Sequence, residues 1–236
     1  MPFQPPPASS RQLTGVPFAT AVDFAPDAKA RYDAFDRRPG NRDPSKCKAL
    51  LAFPGTGGTT RAVFWSSKMA IDTDGPAAGP GRKTGKQLDA TGQNTTSFRF
   101  SNGKSLPAEI VPYIVVPQNK AKNGPFDPAV AMGDVAIVIF KDMITAAICG
   151  DFGPVAKIGE ASIRVHESLQ PACPDPCTRD SNGFCRKARN SSVGEDVLYF
   201  VFPGSAFADG ELTLDNITTK VKARAFALYN ALRGES

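Results

Sequence analysis

The sequence predicts a mainly β protein with attached helices (α+β), folded as a single compact domain. Its apolar residues fall in short runs rich in Val, Ile and Phe, and few segments show helical periodicity. The 21 Gly and 21 Pro residues punctuate these runs with turns. With 236 residues, of which 41% are hydrophobic, the chain can bury a core without relying on disulfides.

Residues 1–20 are rich in proline at their start and are predicted to form a flexible lead before a single domain over residues 21–236. A first helix is predicted over residues 26–35, because Pro26 suits the first turn of a helix. Residues 160–169 also have a helical pattern. Asp215 could cap a final helix whose apolar face consists of Ile217, Val221, Leu228 and Leu232.

The predicted strands are residues 49–53, 63–65, 69–71, 97–100, 114–116, 135–140, 144–149 and 197–202. The runs 135–140 and 144–149 form the strongest pair, because only three residues separate them and a tight hairpin can join them. Residues 73–94 and 171–196 are rich in Gly, Pro and polar residues, so both segments are predicted to be loops.

Two acidic residues, Asp151 and Glu160, lie nine positions apart and each follows a glycine. Asp151 comes directly after a strand run, where a side chain can point into a cleft. Two carboxyl groups that face one cleft can cleave a glycosidic bond, since one donates a proton and the other activates water or attacks the sugar. The alternatives are a turn aspartate and a first-turn helical glutamate, whose pKa the helix dipole would lower.

A second acidic pair, Asp72 and Asp74, follows the strand run at residues 69–71. Alternation along a strand end would place both side chains on the same side. Such a pair would attract a substrate that carries amino groups. An aspartate-rich turn or a calcium site is the alternative.

Other residue patterns point to chemistry less clearly. His166 is the sole histidine, and no nucleophile-elbow motif accompanies it. The run 55–60 lacks the lysine of a phosphate-binding loop. The basic residues form small scattered groups without interleaved aromatics, which argues against nucleic-acid binding.

The five cysteines favour disulfides over a metal site. Cys173, Cys177 and Cys185 lie in one loop with irregular spacing and no histidine, whereas Cys47 and Cys149 lie elsewhere. Two disulfides and one free thiol would suit a secreted protein.

An ordered set of motifs resembles the fungal and bacterial chitosanases of glycoside hydrolase family 75. The resemblance covers roughly residues 60–206. The motifs that carry it are Asp72-Thr73-Asp74-Gly75, Gln93 to Phe98, Pro112 to Pro117, Gly133 to Ala136, Gly150 to Pro154, Ile158 to Ser162 and Phe202 to Ser205.

The resemblance implies endo-hydrolysis of the β-1,4 bonds of chitosan with inversion and without a metal or other cofactor, and residues 21–236 are then the catalytic domain. Glu160 would be the general acid, and Asp151 would be the base that activates water. Asp72, Asp74, Tyr113 and Phe152 would contact the substrate. A double-psi-type β-barrel with a C-terminal helix is the expected core. Secretion with the signal peptide outside this sequence, a monomeric state, and no nucleic-acid or membrane partner are further expectations.

The net charge of +5 conflicts with a polycationic substrate, so we expect a locally acidic cleft on a basic body. Two other functions fit the same residues. One is hydrolysis of another polysaccharide, such as chitin or peptidoglycan. The other is non-catalytic carbohydrate binding, in which Trp65, Tyr113 and Phe152 stack on sugar rings.

Overall fold

The computed structural model describes residues 3–118, 126, 130–189 and 192–234. The strands are β1 Val22–Asp23, β2 Ala49–Pro54, β3 Thr60–Asp72, β4 Tyr113–Pro117, β5 Val135–Phe140, β6 Met143–Gly153, β7 Glu160–Ser162, β8 Cys177–Arg179, β9 Cys185–Ala188 and β10 Val193–Phe202. The α-helices are α1 Pro26–Asp36, α2 Gly85–Leu88, α3 Ile163–Ser168 and α4 Ile217–Arg233. Short 3-10 helices occupy Pro7–Ser9, Phe18–Thr20 and Thr56–Gly58.

Six strands close into a barrel, which confirms the predicted core. They follow the order β3-β10-β5-β6-β4-β7, and β7 pairs back onto β3. Most neighbours are antiparallel, but β4 with β6 and β3 with β7 are parallel. Strand β2 pairs with β3 outside this ring, and β1 pairs with β2.

The strands bury apolar side chains on both faces. One face packs against α4, which lies outside the ring. The opposite face fills the barrel interior, where the Trp65 and Tyr199 rings stack with centroids 4.9 Å apart. Buried residues of α1 and α3, including Tyr32 and Val165, pack against this interior cluster.

The C-terminal helix is confirmed as the cover of the outer face. Its buried residues are Ile217, Val221, Ala225, Tyr229 and Leu232, while the predicted Leu228 is only partly buried. Asn216 occupies the N-cap position in place of Asp215. Among the described residues, no helix is both long and apolar enough to cross a membrane.

The N-terminal segment lies against the barrel. The Phe3 ring contacts Phe64 at 4.9 Å between centroids, and Phe18 contacts Phe64 at 5.2 Å. Leu13 is buried in the outer cluster. Through these contacts, residues 3–20 pack against the barrel. The flexibility expected of this segment stays a prediction.

Several predicted strand bounds were wrong because sequence-distant partners bury polar segments. The runs 63–65 and 69–71 belong to one strand, β3, since Ser66, Ser67 and Lys68 between them are buried. Strand β10 begins at Val193, four residues before the predicted start.

Three other segments also differ from the predictions. Residues 97–100 form no named strand, and Arg99 makes only an isolated bridge to Ser105. The two predicted loops contain α2 and the hairpin of β8 and β9. This hairpin carries the disulfide Cys177–Cys185, whereas Cys47, Cys149 and Cys173 are buried free thiols, so the expected second disulfide is absent from the described residues.

Phe200→Ala tests the junction between the barrel and α4. The Phe200 ring contacts Phe64 and Tyr229 with centroids 4.8 and 5.1 Å apart, so its removal leaves a cavity under the helix. We expect the free energy of unfolding to fall by about 3–5 kcal/mol. Chemical denaturation measures it, and Leu214→Ala, at a position that is 44% exposed, serves as the control with little change.

Candidate active site

A groove of about 1210 Å³ runs over the barrel surface where β3, β4, β6 and β7 meet. Asp72, Asp74, Phe152 and Glu160 line it, together with residues of three bordering segments. These segments are residues 42–46, residues 89–93 and the hairpin of β8 and β9. Four of the six predicted site residues therefore line one groove although they are up to 88 positions apart (72 to 160), whereas Asp151 and Tyr113 are not among its lining residues.

Asp151 is positioned by a bulge in β6. Ile114 of β4 pairs with Cys149, but the next residue, Val115, pairs with Asp151, so Gly150 is the extra residue. Directly paired residues project to the same side of a sheet, and the bulge therefore turns Asp151 to the side of Val115. Asp151 lies inside β6 and not after the strand end, as the sequence suggested.

Gly150 is required by a close approach. A Cβ atom on this residue would lie 2.5 Å from Tyr113 Cβ and 2.8 Å from Leu106 Cδ1. Both neighbours are fully buried. Glycine therefore allows the β4–β6 pairing and, with it, the orientation of Asp151.

Glu160 begins strand β7 and is not in the first turn of a helix, which corrects the predicted helix over residues 160–169. It pairs with Val115 of β4 on one side and with Ala70 of β3 on the other. Helix α3 starts only after Ser162, whose hydroxyl accepts a hydrogen bond from the Val165 amide. The helix dipole thus no longer opposes a raised pKa at Glu160.

Asp151 and Glu160 both pair with Val115 of β4, so their side chains project to the same side of the sheet. A Cβ atom on Gly153 would lie 3.1 Å from Glu160 Oε2, so the Glu160 carboxyl group lies over this glycine. Asp151 is two residues earlier on the same strand and on the same side. The charge of Asp151 contributes to the raised pKa of Glu160, so the two carboxyl groups are close enough to interact.

Hydrogen bonding distinguishes the two acids. Asp151 Oδ1 accepts hydrogen bonds from the Ser97 amide at 3.0 Å, the Ser97 hydroxyl and the Phe152 amide at 2.7 Å. Burial raises the pKa of Asp151, and these donors oppose the rise. The Glu160 carboxyl group accepts no hydrogen bond from any residue that the structure describes, and burial raises its pKa.

A charged cluster stands beside Glu160. Asp43 binds the ammonium groups of Lys68 and Lys157, the latter at 2.9 Å, and the Lys68 side chain is only 3% exposed. The two lysines lower the pKa of Glu160, while Asp43 raises it and so counters them. This cluster was not predicted from the sequence, although Lys68 inside an apolar strand pattern was a signal for it.

Asp72 and Asp74 form an acidic cluster with Asp151, because one carboxylate oxygen of each lies within 4.8 Å of the others. The Tyr113 hydroxyl lies 3.1 Å from Asp72 Oδ1 and 2.8 Å from the Asp74 carbonyl oxygen. Burial and then the charge of Asp74 raise the pKa of Asp72 well above its ordinary value. Burial raises the pKa of Asp74 to about 6. The three carboxylates are hard oxygen ligands of the kind that calcium prefers.

Tyr113 and Phe152 take different positions relative to the groove. Tyr113 is fully buried, so its ring lies beneath the acidic cluster and does not face the solvent. Phe152 lines the groove and is 42% exposed. Trp65 is also fully buried, which removes it as a stacking platform for sugars.

His166 has a structural position on the buried face of α3. Its Nε2 atom lies 3.3 Å from the Ala70 carbonyl oxygen, and burial lowers its pKa to about 4.

The expectation of an acidic cleft is wrong for the groove as a whole. Its acidic residues are Asp43, Asp72, Asp74, Asp89 and Glu160, and its basic residues are Arg42, Lys46, Lys68, Lys157, Lys187 and Arg189. The carboxyl groups of Asp72, Asp74 and Asp151 cluster together, while the basic residues come from the border segments, from Lys68 and from Lys157.

The sequence also matches a known family. The family model of fungal chitosanases of glycosyl hydrolase group 75 covers residues 69–227, which is more than half of the chain and includes all four acids of the site. The chain therefore belongs to this family of glycoside hydrolases. No curated protein matches the chain.

Gly150→Ala tests the bulge. The added methyl group meets the Tyr113 side chain, so β6 must shift and Asp151 must move with it. We expect a loss of about 1–3 kcal/mol in the free energy of unfolding from overpacking, and a loss of catalytic rate out of proportion to it. Denaturation and activity assays check this. Gly194→Ala is the control for the stability change, since its nearest atom would be Lys46 Nζ at 3.9 Å.

Asp74→Asn tests the burial of the acidic cluster through the pH dependence of stability. The pKa of Asp74 rises from 3.8 to about 6 on folding, so the folded state holds more protons between these values. Stability is then lost as the pH rises through this window. We expect Asp74→Asn to raise Tm above pH 6 and to leave it nearly unchanged below pH 3.8. An equal Tm shift at both pH values, or a matching effect of the exposed Asp23→Asn, would contradict this explanation.

Proposed function

We propose that this protein is an endo-acting chitosanase that cleaves β-1,4 glycosidic bonds with inversion at the anomeric carbon. The observation that carries the proposal is the pair Asp151 and Glu160, which project from β6 and β7 to the same side of β4 and are close enough for their charges to interact. Inverting glycosidases place their carboxyl groups about 6.5–9.5 Å apart so that water fits between them, whereas retaining enzymes need about 5–5.5 Å.

Glu160 is assigned as the general acid. Its carboxyl group is mostly buried, accepts no hydrogen bond from the described residues and has a raised pKa, all of which favour the protonated form. It donates this proton to the glycosidic oxygen as the bond to the anomeric carbon breaks.

Asp151 is assigned as the general base. Its Oδ1 atom is held by three donors, which stabilise the ionised form and fix its orientation. The Oδ2 atom is left to accept a proton from water. That water attacks the anomeric carbon from the side opposite to the leaving group, and the product has inverted configuration.

Asp74 and Phe152 are assigned to substrate binding. Both line the groove, where Asp74 can accept hydrogen bonds from a glucosamine ammonium group and the exposed Phe152 ring can pack on a sugar face. Asp72 also lines the groove, and its Oδ1 atom accepts hydrogen bonds from the Tyr113 hydroxyl and the Asp74 amide, so it holds the backbone of Asp74 in place.

One observation favours a different base. Asp151 is only 6% exposed and is not among the residues that line the groove, whereas Asp74 is among them. If Asp74 activated the water, Asp74→Asn would abolish turnover. If Asp74 binds the ammonium group, the same variant would mainly raise KM.

Secretion and a monomeric state remain part of the proposal. The disulfide Cys177–Cys185 is typical of proteins from oxidising compartments, and a polymeric substrate requires an enzyme outside the cell.

Asp151→Asn and Glu160→Gln test the assigned roles. Each removes one half of the acid–base pair while preserving the shape of the side chain, so we expect turnover to fall by at least about 100-fold with little change in Tm. Release of reducing ends from chitosan measures it. The exposed Asp209→Asn is the control, and a variant at either site that keeps a tenth of the wild-type rate would contradict its role.

Two measurements separate the alternative functions. Comparing rates on chitosan, chitin, cellulose and peptidoglycan identifies the polymer that is cleaved, and binding without any cleavage would support a carbohydrate-binding protein. NMR of the first products from a glucosamine oligomer reports the anomeric configuration. Products with retained configuration would overturn the inverting mechanism.

A further inference from the structure

The disulfide-bonded hairpin of β8 and β9 forms one border of the groove. Thr178, Lys187, Ala188 and Arg189 line the groove from this hairpin. Thr178 pairs directly with Lys187, and Arg189 follows two residues later, so all three side chains project to the same side. Lys187 and Arg189 are exposed and can reach a bound polymer.

The hairpin is fixed to the body of the protein at several points. The disulfide Cys177–Cys185 joins its two strands. The Arg179 guanidinium binds Glu167 of α3 at 2.6 Å. On the other strand, the Cys185 amide donates to Glu109 Oε1 at 3.3 Å.

Arg82 completes this attachment. Its guanidinium binds Glu109 at 2.9 Å and lies 4.1 Å from the centroid of the Phe184 ring, which belongs to the turn of the hairpin. The backbone that carries Lys187 and Arg189 is therefore a rigid wall, and the two cations occupy defined places along the groove.

The charges around these two cations leave the wall positive. Asp89 is the acidic residue close enough to Lys187 to interact with it. Asp175 interacts with Arg189, but it is already paired with Arg179 at 3.0 Å. Among the described residues, the hairpin border thus presents two cations against one carboxylate that is not already ion-paired, in contrast to the acidic cluster of Asp72, Asp74 and Asp151.

This contrast bears on the two sugar units of chitosan, which differ in charge. A glucosamine ammonium group is attracted to the acidic cluster and repelled by Lys187 and Arg189. An N-acetylglucosamine unit is neutral, and its acetamide oxygen can accept hydrogen bonds from lysine and arginine. The hairpin border therefore favours the acetylated unit.

Building on the proposed chitosanase activity, we propose that the β8–β9 hairpin forms a substrate subsite that selects N-acetylglucosamine units. Glucosamine binds at the central acids, and an acetylated unit binds beside Lys187 and Arg189. The preferred substrate is then partially acetylated chitosan, and the fully deacetylated polymer is a poorer one.

The double variant Lys187→Gln/Arg189→Gln tests this subsite. The rates on fully deacetylated and on half-acetylated chitosan of equal length give a kcat/KM ratio for each protein. We expect the wild type to have a higher kcat/KM on the half-acetylated polymer than on the deacetylated one. In the variant, the ratio of these two kcat/KM values should fall about fivefold, mostly because the deacetylated polymer reacts faster. Raising the ionic strength should weaken the wild-type preference in the same direction.

The matched control is Lys104→Gln/Lys222→Gln, which removes two exposed cations outside the groove and should keep the wild-type ratio. An unchanged ratio in the hairpin variant, or an equal loss on both polymers, would overturn the subsite while leaving the chitosanase proposal intact. If the wild type cleaves neither polymer, the proposed function itself is wrong and the subsite falls with it.

Discussion

The pairing of β4 with β6 around one extra residue determines the site. Because Gly150 lies against the Tyr113 and Leu106 side chains without a Cβ atom of its own, the parallel strands can pair at Ile114 with Cys149 and again at Val115 with Asp151. Without the extra residue, Asp151 would project to the barrel interior, since side chains alternate along a strand. The barrel thus determines both how deeply the acidic side chains are buried and the side of the sheet to which they project.

Burial raises the pKa of four neighbouring carboxyl groups, and local contacts then give each a different state. Three donors stabilise the charge of Asp151, whereas Glu160 has no such donor among the described residues. The like charges of the cluster also disfavour ionisation of all its members at once. This difference in local contacts is what the proposed roles of proton donor and proton acceptor depend on.

The sequence indicated both of these acids because glycines frame them, but it could not indicate their local structure. Glu160 was placed in a helix because the following residues have helical periodicity, whereas pairing with β3 and β4 draws residues 160–162 into the barrel. Ser66 to Lys68 read as a break between strands for a similar reason, since their burial depends on distant neighbours. The barrel, the C-terminal helix and Asp72 with Asp74 were predictable. Ser97, Asp43 and the hairpin wall were not, because only long-range contacts bring them to the groove.

Asp43 has a consequence for how such an enzyme can adapt to its surroundings. It neutralises part of the charge of Lys68 and Lys157, the two cations that act on Glu160. Burial is the largest cause of the raised pKa of Glu160, and Asp43, a loop residue, adds to it. If Glu160 is the general acid as proposed, a substitution at this loop position alone would shift the working pH, with the carboxyl groups of the site and the barrel left as they are.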